Sequence, residues 1–467
     1  VWVVTAGFKG WPVYTDYYRR LTDAFLHGQL NLREGPPPKM LELADPYDPT
    51  ANARYRLHDA SLYDGKYYLY WGPAPALVAA AICWIIRDFD PMFGDQYLVL
   101  LYMIGNTILV SILILRTREQ LFPNQSPWTA AFAILTFGLG TPVLYTLARS
   151  AIYEASIAAG QFFLLAGILA AWFGVQNKKN WALALAGACW ALSAGSRIGL
   201  VPAIGVFALM TAWQLRGSNW RSSMNIAALL APLLIGASLH AWYNYVRFGS
   251  VTEIGLHYQL ANENQHAMPD SALAGPQYIT SNILRYLFTP PYRIALFPYM
   301  TAQGQMPVEQ AFRPAGKSRS ETVVGLVWSQ PFLLFALPGL IFLWRKRDDP
   351  NHALQNWLAL MLLSGALLGI APALTIHGST MRYLLDAVPC AVILGALGFW
   401  MTVEYLSLRK LVLREVMAVT RLFTLIAVMM GVLLSFYGYY SHFPMFNPGL
   451  YNALRSRLPV LMWWHST

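Results

Sequence analysis

Charge is what this sequence most lacks. Only 12% of its 467 residues are Asp, Glu, Lys or Arg, about half the share found in an ordinary soluble domain. So few charges cannot cover a water-facing surface, which excludes a soluble globular fold. Cysteine is nearly absent as well. Cys83, Cys189 and Cys390 all lie in apolar stretches and form neither a disulfide framework nor a metal spacing. No nucleotide-type glycine loop, HExxH or GxSxG occurs, so those three chemistries drop out. There is no internal repeat or low-complexity tract. Nor do the apolar runs fall into the two matched halves of many transporters.

In place of charge there is apolar surface, 56% of the chain. Runs near or above 18 residues recur, long enough to cross a bilayer as helices. They are continuous rather than alternating, which argues against a strand barrel. The pattern predicts spans at roughly 96–115, 128–147, 154–175, 181–196, 199–215, 224–244, 324–344, 354–375, 384–403 and 421–440. A stretch at 74–88 that begins within "GPAPAL" has only about 15 residues and reads as an interfacial helix. "VWVV" reads as the tail of a first spanning helix that ends near Trp11. The expected fold is an all-α polytopic membrane protein with about 11 transmembrane helices.

A net charge of +10 would suit nucleic acid, but no recognition module accompanies it. In a membrane protein, basic residues gather in cytoplasmic loops. The connections 116–127, 176–180, 216–223, 345–353 and 404–420, with Arg421, hold 13 Lys or Arg. The alternating short connections hold three, Arg149, Arg197 and Arg382. The positive-inside rule places the first set in the cytoplasm, provided that 74–88 does not cross. The expected order is then the end of a first helix (1–11), an extracytoplasmic loop (12–95), spans (96–244), a second extracytoplasmic loop (245–323), spans (324–440) and an interfacial tail (441–467). The lipid bilayer is a partner, nucleic acid is not, and the location is the inner (cytoplasmic) membrane.

This sidedness brings costly charges to one face. Arg149 and Glu154 flank a helix mouth in "ARSAIYEAS", and such charges are functional candidates. Arg197, in "SAGSRIG", sits at a break between two short spans, where a guanidinium can clamp a phosphate or simply snorkel. Arg382, with Tyr383 beside it, either serves the same face or pairs with Asp386 one helical turn on. Asp16 follows the first span closely and precedes an amphipathic helix, which makes it a helix cap, a functional acid or both. His58 and Asp59 could bind a hydroxyl or a metal, or cap a turn. "YYLYWGPAPAL" supplies Tyr67, Tyr68 and Trp71, rings that anchor at headgroup depth or stack on sugars. The second loop offers Arg247, Glu253, His257 and Tyr258, as a lid over a lipid-borne substrate or as a plain cover.

In this order and on this face, the residues resemble the GT-C superfamily of polyprenyl-phosphate-sugar glycosyltransferases. Within it, the sequence looks most like the protein O-mannosyltransferases and the lipid A aminoarabinose transferases. "TDYYRRLTDAFLHG" matches the family's first-loop acid at Asp16, with Tyr17 where an Asp-Glu pair is usual. "GPAPAL" is similar to the proline-containing membrane-surface helix, "RSAIYEAS" supplies the second acid as Glu154, and "SRIG" and "RY…P" supply Arg197, Arg382, Tyr383 and Pro389. The resemblance implies a GT-C-like bundle that moves a sugar from a polyprenyl-phosphate donor to a hydroxyl of an acceptor glycan, lipid or protein, with inversion. It implies that Asp16 is the base and that Glu154 orients it, binds sugar hydroxyls or shares a divalent cation (Mg or Mn) with it. Arg197, Arg382 and Arg149 would hold the donor phosphate. His58, Asp59, Tyr67, Tyr68, Trp71, Arg247, Tyr258 and Tyr383 would meet the substrates. Two other readings stay open: a lipid-linked polysaccharide polymerase or ligase, and a non-catalytic transporter or scaffold of an envelope assembly.

Overall fold

In lipid, a backbone must satisfy its own polar groups, and long apolar runs do so as helices. The computed structural model describes residues 1–11, 15–217, 220–302, 321–345, 353–407, 413–438 and 442–461. It is 69% helical with almost no sheet. The chain opens on turns. Ala6, Gly7 and Phe8 have positive φ, so the helix end expected over 1–11 is not formed there. Two longer first-loop helices follow, α1 (Tyr17–Leu26) and α2 (Ala74–Ile86), with a single helical turn at Pro38–Leu41 between them. Next come α3 (Asp95–Leu121), α4 (Ala130–Gly138), α5 (Val143–Arg149), α6 (Ile152–Asn177), α7 (Asn180–Ser196), α8 (Val201–Leu215) and α9 (Trp220–Phe248). The second half holds α10 (Ile279–Phe288), α11 (Ala336–Arg345), α12 (Ala353–Thr375), α13 (Val388–Ser407), α14 (Leu413–Tyr437) and α15 (Pro448–Arg457).

Among the described residues, eight helices are long and apolar enough to cross a membrane: α3, the α4–α5 unit, α6, α8 with its leading turn, α9, α12, α13 and α14. Against the expected eleven or so, α7 and α11 fall short. α7 has 17 residues, about 26 Å at the usual rise. The run at 324–344 is broken by Pro331, which opens a 3-10 turn ahead of α11 because the residue before a proline is driven out of helical geometry. Parts of the expected connections (218–219, 346–352, 408–412), of the second loop (303–320) and of the tail (462–467) lie outside the described residues.

α6 is the axis of the bundle, and most of its length is buried. Its small residues let neighbours approach closely, the device that drives helix association in membranes. Asn106 donates to the Ala158 carbonyl at 2.9 Å and Ser193 to that of Gly160 at 2.8 Å. A Cβ at Gly167 would come within 2.3 Å of the buried Trp190 indole nitrogen.

α2 has 13 residues, about 20 Å, too short to cross a core of about 30 Å. Its Leu77, Ile82, Trp84, Ile85 and Ile86 are exposed, a bare apolar face. The other face packs on α1, whose Tyr17, Tyr18, Leu21 and Ala24 are buried. Gly72 lets the chain entering α2 lie against α7, where a Cβ would meet the Gly195 carbonyl at 2.1 Å. Asp16 stands at the N-cap of α1, but its side chain does not cap it. Asp95 does so instead, accepting the N–H groups of Tyr17 and Tyr18 at 3.1 Å each. Between the two helices, β1 (Ser61–Tyr63) and β2 (Lys66–Tyr68) form a hairpin. It turns on Asp64 and Gly65, both at positive φ, as Asp-Gly turns require.

Overpacking a buried contact of this kind costs about 1–3 kcal/mol. Gly167→Ala should therefore lower the melting temperature in detergent. Gly205→Ala, whose added methyl meets nothing within 4 Å, should leave it unchanged. Equal melting temperatures for the two variants would contradict this packing of α6 on α7.

Candidate active site

α6 starts where it does because Glu154 caps it. The carboxylate turns back to accept the Ala151 N–H at 3.2 Å, a favourable place for a negative group. Its other oxygen faces Arg149 Nε and Arg382 Nη1, each at 3.5 Å. Arg149 ends α5, and Ser150, left-handed at φ 41°, turns the chain into α6. Arg382 lies in a 3-10 turn, Met381–Asp386, just ahead of α13.

Glu321, from the second loop, completes the group. It accepts from Arg149 Nη1 at 2.6 Å, Arg382 Nη1 at 3.0 Å and Thr380 Oγ1 at 2.6 Å. Burial pushes its carboxyl up, but the two guanidiniums and the hydroxyl outweigh burial and hold it below the usual glutamate range. The expected Arg382–Asp386 pair does not form. In a 3-10 turn residues three apart, not four, share a face, so Asp386 turns elsewhere. It accepts from Arg197 Nη2 at 2.8 Å and Nε at 3.1 Å. The Arg197 guanidinium lies 5.0 Å from the Tyr383 ring.

These groups line one cavity of about 970 Å³. The first loop contributes Thr15, Tyr17, His58, Asp59, Tyr70 and Trp71 to its wall, α9 contributes His240, Asn244 and Arg247, and the second loop contributes Gln259 and Glu321. The helix ends that carry Arg149, Arg197 and Arg382 and both loops thus meet at one end of the bundle. The loops bind each other directly. Asp59 N–H donates to the Leu260 carbonyl at 3.0 Å, and Leu260 N–H to that of Ala60 at 2.9 Å. The Arg56 guanidinium donates to the Ala261 carbonyl at 2.7 Å.

Of the residues singled out from sequence, His58, Asp59, Trp71, Arg149, Arg197, Arg247, Arg382 and Tyr383 are on the cavity wall. Glu154 is 1% exposed and stands behind Arg149 and Arg382. Tyr67 and Tyr68 are buried in the hairpin, and Tyr258 packs against Tyr63, Phe248 and His266. None of these three tyrosines lines the cavity. Arg247 acts as a strut, donating to the Leu69 carbonyl and to Asn244 Oδ1 at 2.8 Å each. Asp16 is also off the wall. It accepts from Arg19 and, at 2.7 Å, from Arg20. Although burial raises its carboxyl, these two arginines hold it below its ordinary range. Asp16 and Glu154 are each matched by two arginines. Among the described residues no group of three or more His, Cys, Asp or Glu could hold a metal ion, so the donor set does not fit a shared divalent cation.

Sequence reasoning missed Glu321, Thr380, Tyr153, Gln259 and the Arg197–Asp386 pair. Tyr153 had a signal, since it neighbours Glu154 in the same helix mouth. Glu321 had none, being one carboxylate in a polar loop. No protein-family model, curated protein or solved structure matches the chain. What the site does is therefore read from its geometry.

Because the Glu321 carboxyl is held below its ordinary value of 4.5, the stability it contributes is complete above that pH and is lost as pH falls through its folded value. In wild type the melting temperature should drop as the pH is taken from about 5 to about 3. In Glu321→Gln the drop should be shallower. Identical slopes would contradict the ion pairing.

Proposed function

We propose that the protein is an integral-membrane glycosyltransferase that moves a sugar from a polyprenyl-phosphate donor to an acceptor hydroxyl on the extracytoplasmic face, with inversion at the anomeric carbon. One observation carries the reading: Arg149, Arg197 and Arg382, each at a helix end, meet in a single cavity beside stacked aromatic rings. A lipid-borne phosphodiester presents its charge at headgroup depth, where helix-end guanidiniums can reach it. Guanidiniums bind phosphate oxygens in bidentate fashion.

The charge pattern supports the sidedness. α6 runs 26 residues from this cavity, about 39 Å, to the Lys178–Lys179 turn. That basic connection thus stands at the far end, where the positive-inside rule expects cytoplasm.

Each arginine now carries a carboxylate, so phosphate enters by exchange. The Glu321 side chain is 24% exposed, whereas those of Glu154 and Asp386 are 1% and 2% exposed. Glu321 is the one that can leave, and the phosphate takes its place on Arg149 and Arg382. Tyr70 and Trp71 stack at 4.3 Å, and Tyr153 meets Trp71 edge-on at 5.1 Å, an apolar wall for a sugar ring. As the bond from the anomeric carbon to the phosphate oxygen breaks, charge grows on the phosphate. Pre-placed cations stabilise that charge more than they do the ground state.

The reading is tested with purified protein in lipid nanodiscs and a panel of labelled polyprenyl-phosphate sugars. One donor should transfer its sugar. Arg149→Ala, in protein that keeps its melting temperature, should bind that donor about tenfold more weakly or worse, the worth of one charged hydrogen bond. No transfer from any donor, with donor affinity unchanged in the variant, would remove the reading.

A further inference from the structure

Inverting transfer needs a base for the acceptor hydroxyl, within hydrogen-bond reach of the attacking oxygen. Asp59, Glu263 and Glu321 are the carboxylates on the cavity wall; Asp95 is taken up in capping α1, and four near the cavity, Glu321 among them, are held by guanidiniums. Asp16 is held by Arg19 and Arg20, Glu154 and Glu321 by Arg149 and Arg382, and Asp386 by Arg197. Asp59 is held differently. Its Oδ2 accepts from the Tyr153 hydroxyl at 2.7 Å and its Oδ1 from Gln259 Nε2 at 2.8 Å. Both partners are neutral. His58 Nε2 stands 3.7 Å away.

The backbone singles out the same residue. Asp59 has φ +64°, a left-handed conformation that Asp tolerates better than most residues and that clusters at functional sites. Bonds to the second loop on both sides of it over-determine that conformation. Tyr153 fixes the carboxylate relative to the phosphate site, because its ring lies 4.5 Å from the Arg382 guanidinium while its hydroxyl holds Asp59.

We infer that Asp59, not Asp16, is the base that activates the acceptor. The assignment rests on the transfer reading above. The acceptor O–H gives its proton to Asp59, and its oxygen forms the new bond to the anomeric carbon. The bond from that carbon to the phosphate oxygen breaks, and its electron pair leaves with the polyprenyl phosphate. Tyr153 and Gln259 are positioning residues that hold the carboxylate through the step.

Asp59→Asn and Asp16→Asn are compared in nanodiscs, with donor affinity, melting temperature and turnover measured on each. Asp59→Asn should keep donor affinity and melting temperature while turnover falls about 10²-fold or more. Added formate should restore part of the turnover of Asp59→Ala, since a small carboxylate can occupy the space left by the side chain. Asp16→Asn should keep most of its turnover. Near-full turnover in Asp59→Asn, or a large loss in Asp16→Asn alone, would overturn the assignment while transfer by the wild type stands. A wild type that transfers no sugar from any donor would overturn both.

Discussion

The structure turns on the buried contact of two arginines with two carboxylates at the mouth of α6. Arg149 and Arg382 share Glu154 below and Glu321 above. Charge of this kind is expensive to bury, and a buried ion pair is often no more stabilising than apolar residues of the same volume. Its presence is therefore better explained by use than by stability. Removing any one member strands a charge, so the four groups hold the end of α5, the start of α6, the turn before α13 and the second loop in register.

Everything else at this end is arranged around that register. Small residues along α6 bring α3 and α7 close enough for side chains to hydrogen-bond across to the α6 backbone, which fixes the helix ends that carry Arg149 and Arg197. The two loops then close over those ends as one unit, joined through Asp59, Ala60 and Leu260 and through Arg56. The outcome is a chamber at one end of the helical bundle. Arg149, Arg197 and Arg382 line it with Tyr70 and Trp71, and Asp59 is joined to Arg382 through the Tyr153 side chain.

Much of this could be read from the sequence, for physical reasons that differ by residue. Uninterrupted apolar runs have one solution in lipid, so α3, α6, α9, α12, α13 and α14 were legible. The 74–86 helix was legible from its length and its prolines. The three helix-end arginines stood out because charge beside an apolar run is rare. Other features depend on geometry that sequence does not carry. Asp386 faces Arg197 because the turn that holds it is 3-10 rather than α. Asp16 leaves the cap of α1 to Asp95, 79 positions later, and turns to its own arginines. Glu321 and Gln259 lie in polar loops where one more hydrophilic residue gives no signal. The opening residues were expected to be helical, but positive φ at Ala6 and Phe8 sets them in turns.

The central claim is that the arginines at the mouth of α6 receive a lipid phosphate. The most direct test is an experimental structure of the protein in nanodiscs with a polyprenyl phosphate bound. The account predicts phosphate density within hydrogen-bond distance of Arg149 and Arg382, with the Glu321 carboxylate displaced from both and the isoprenoid chain leading out into lipid. Phosphate bound elsewhere, with Glu321 still seated between the two guanidiniums, would contradict it.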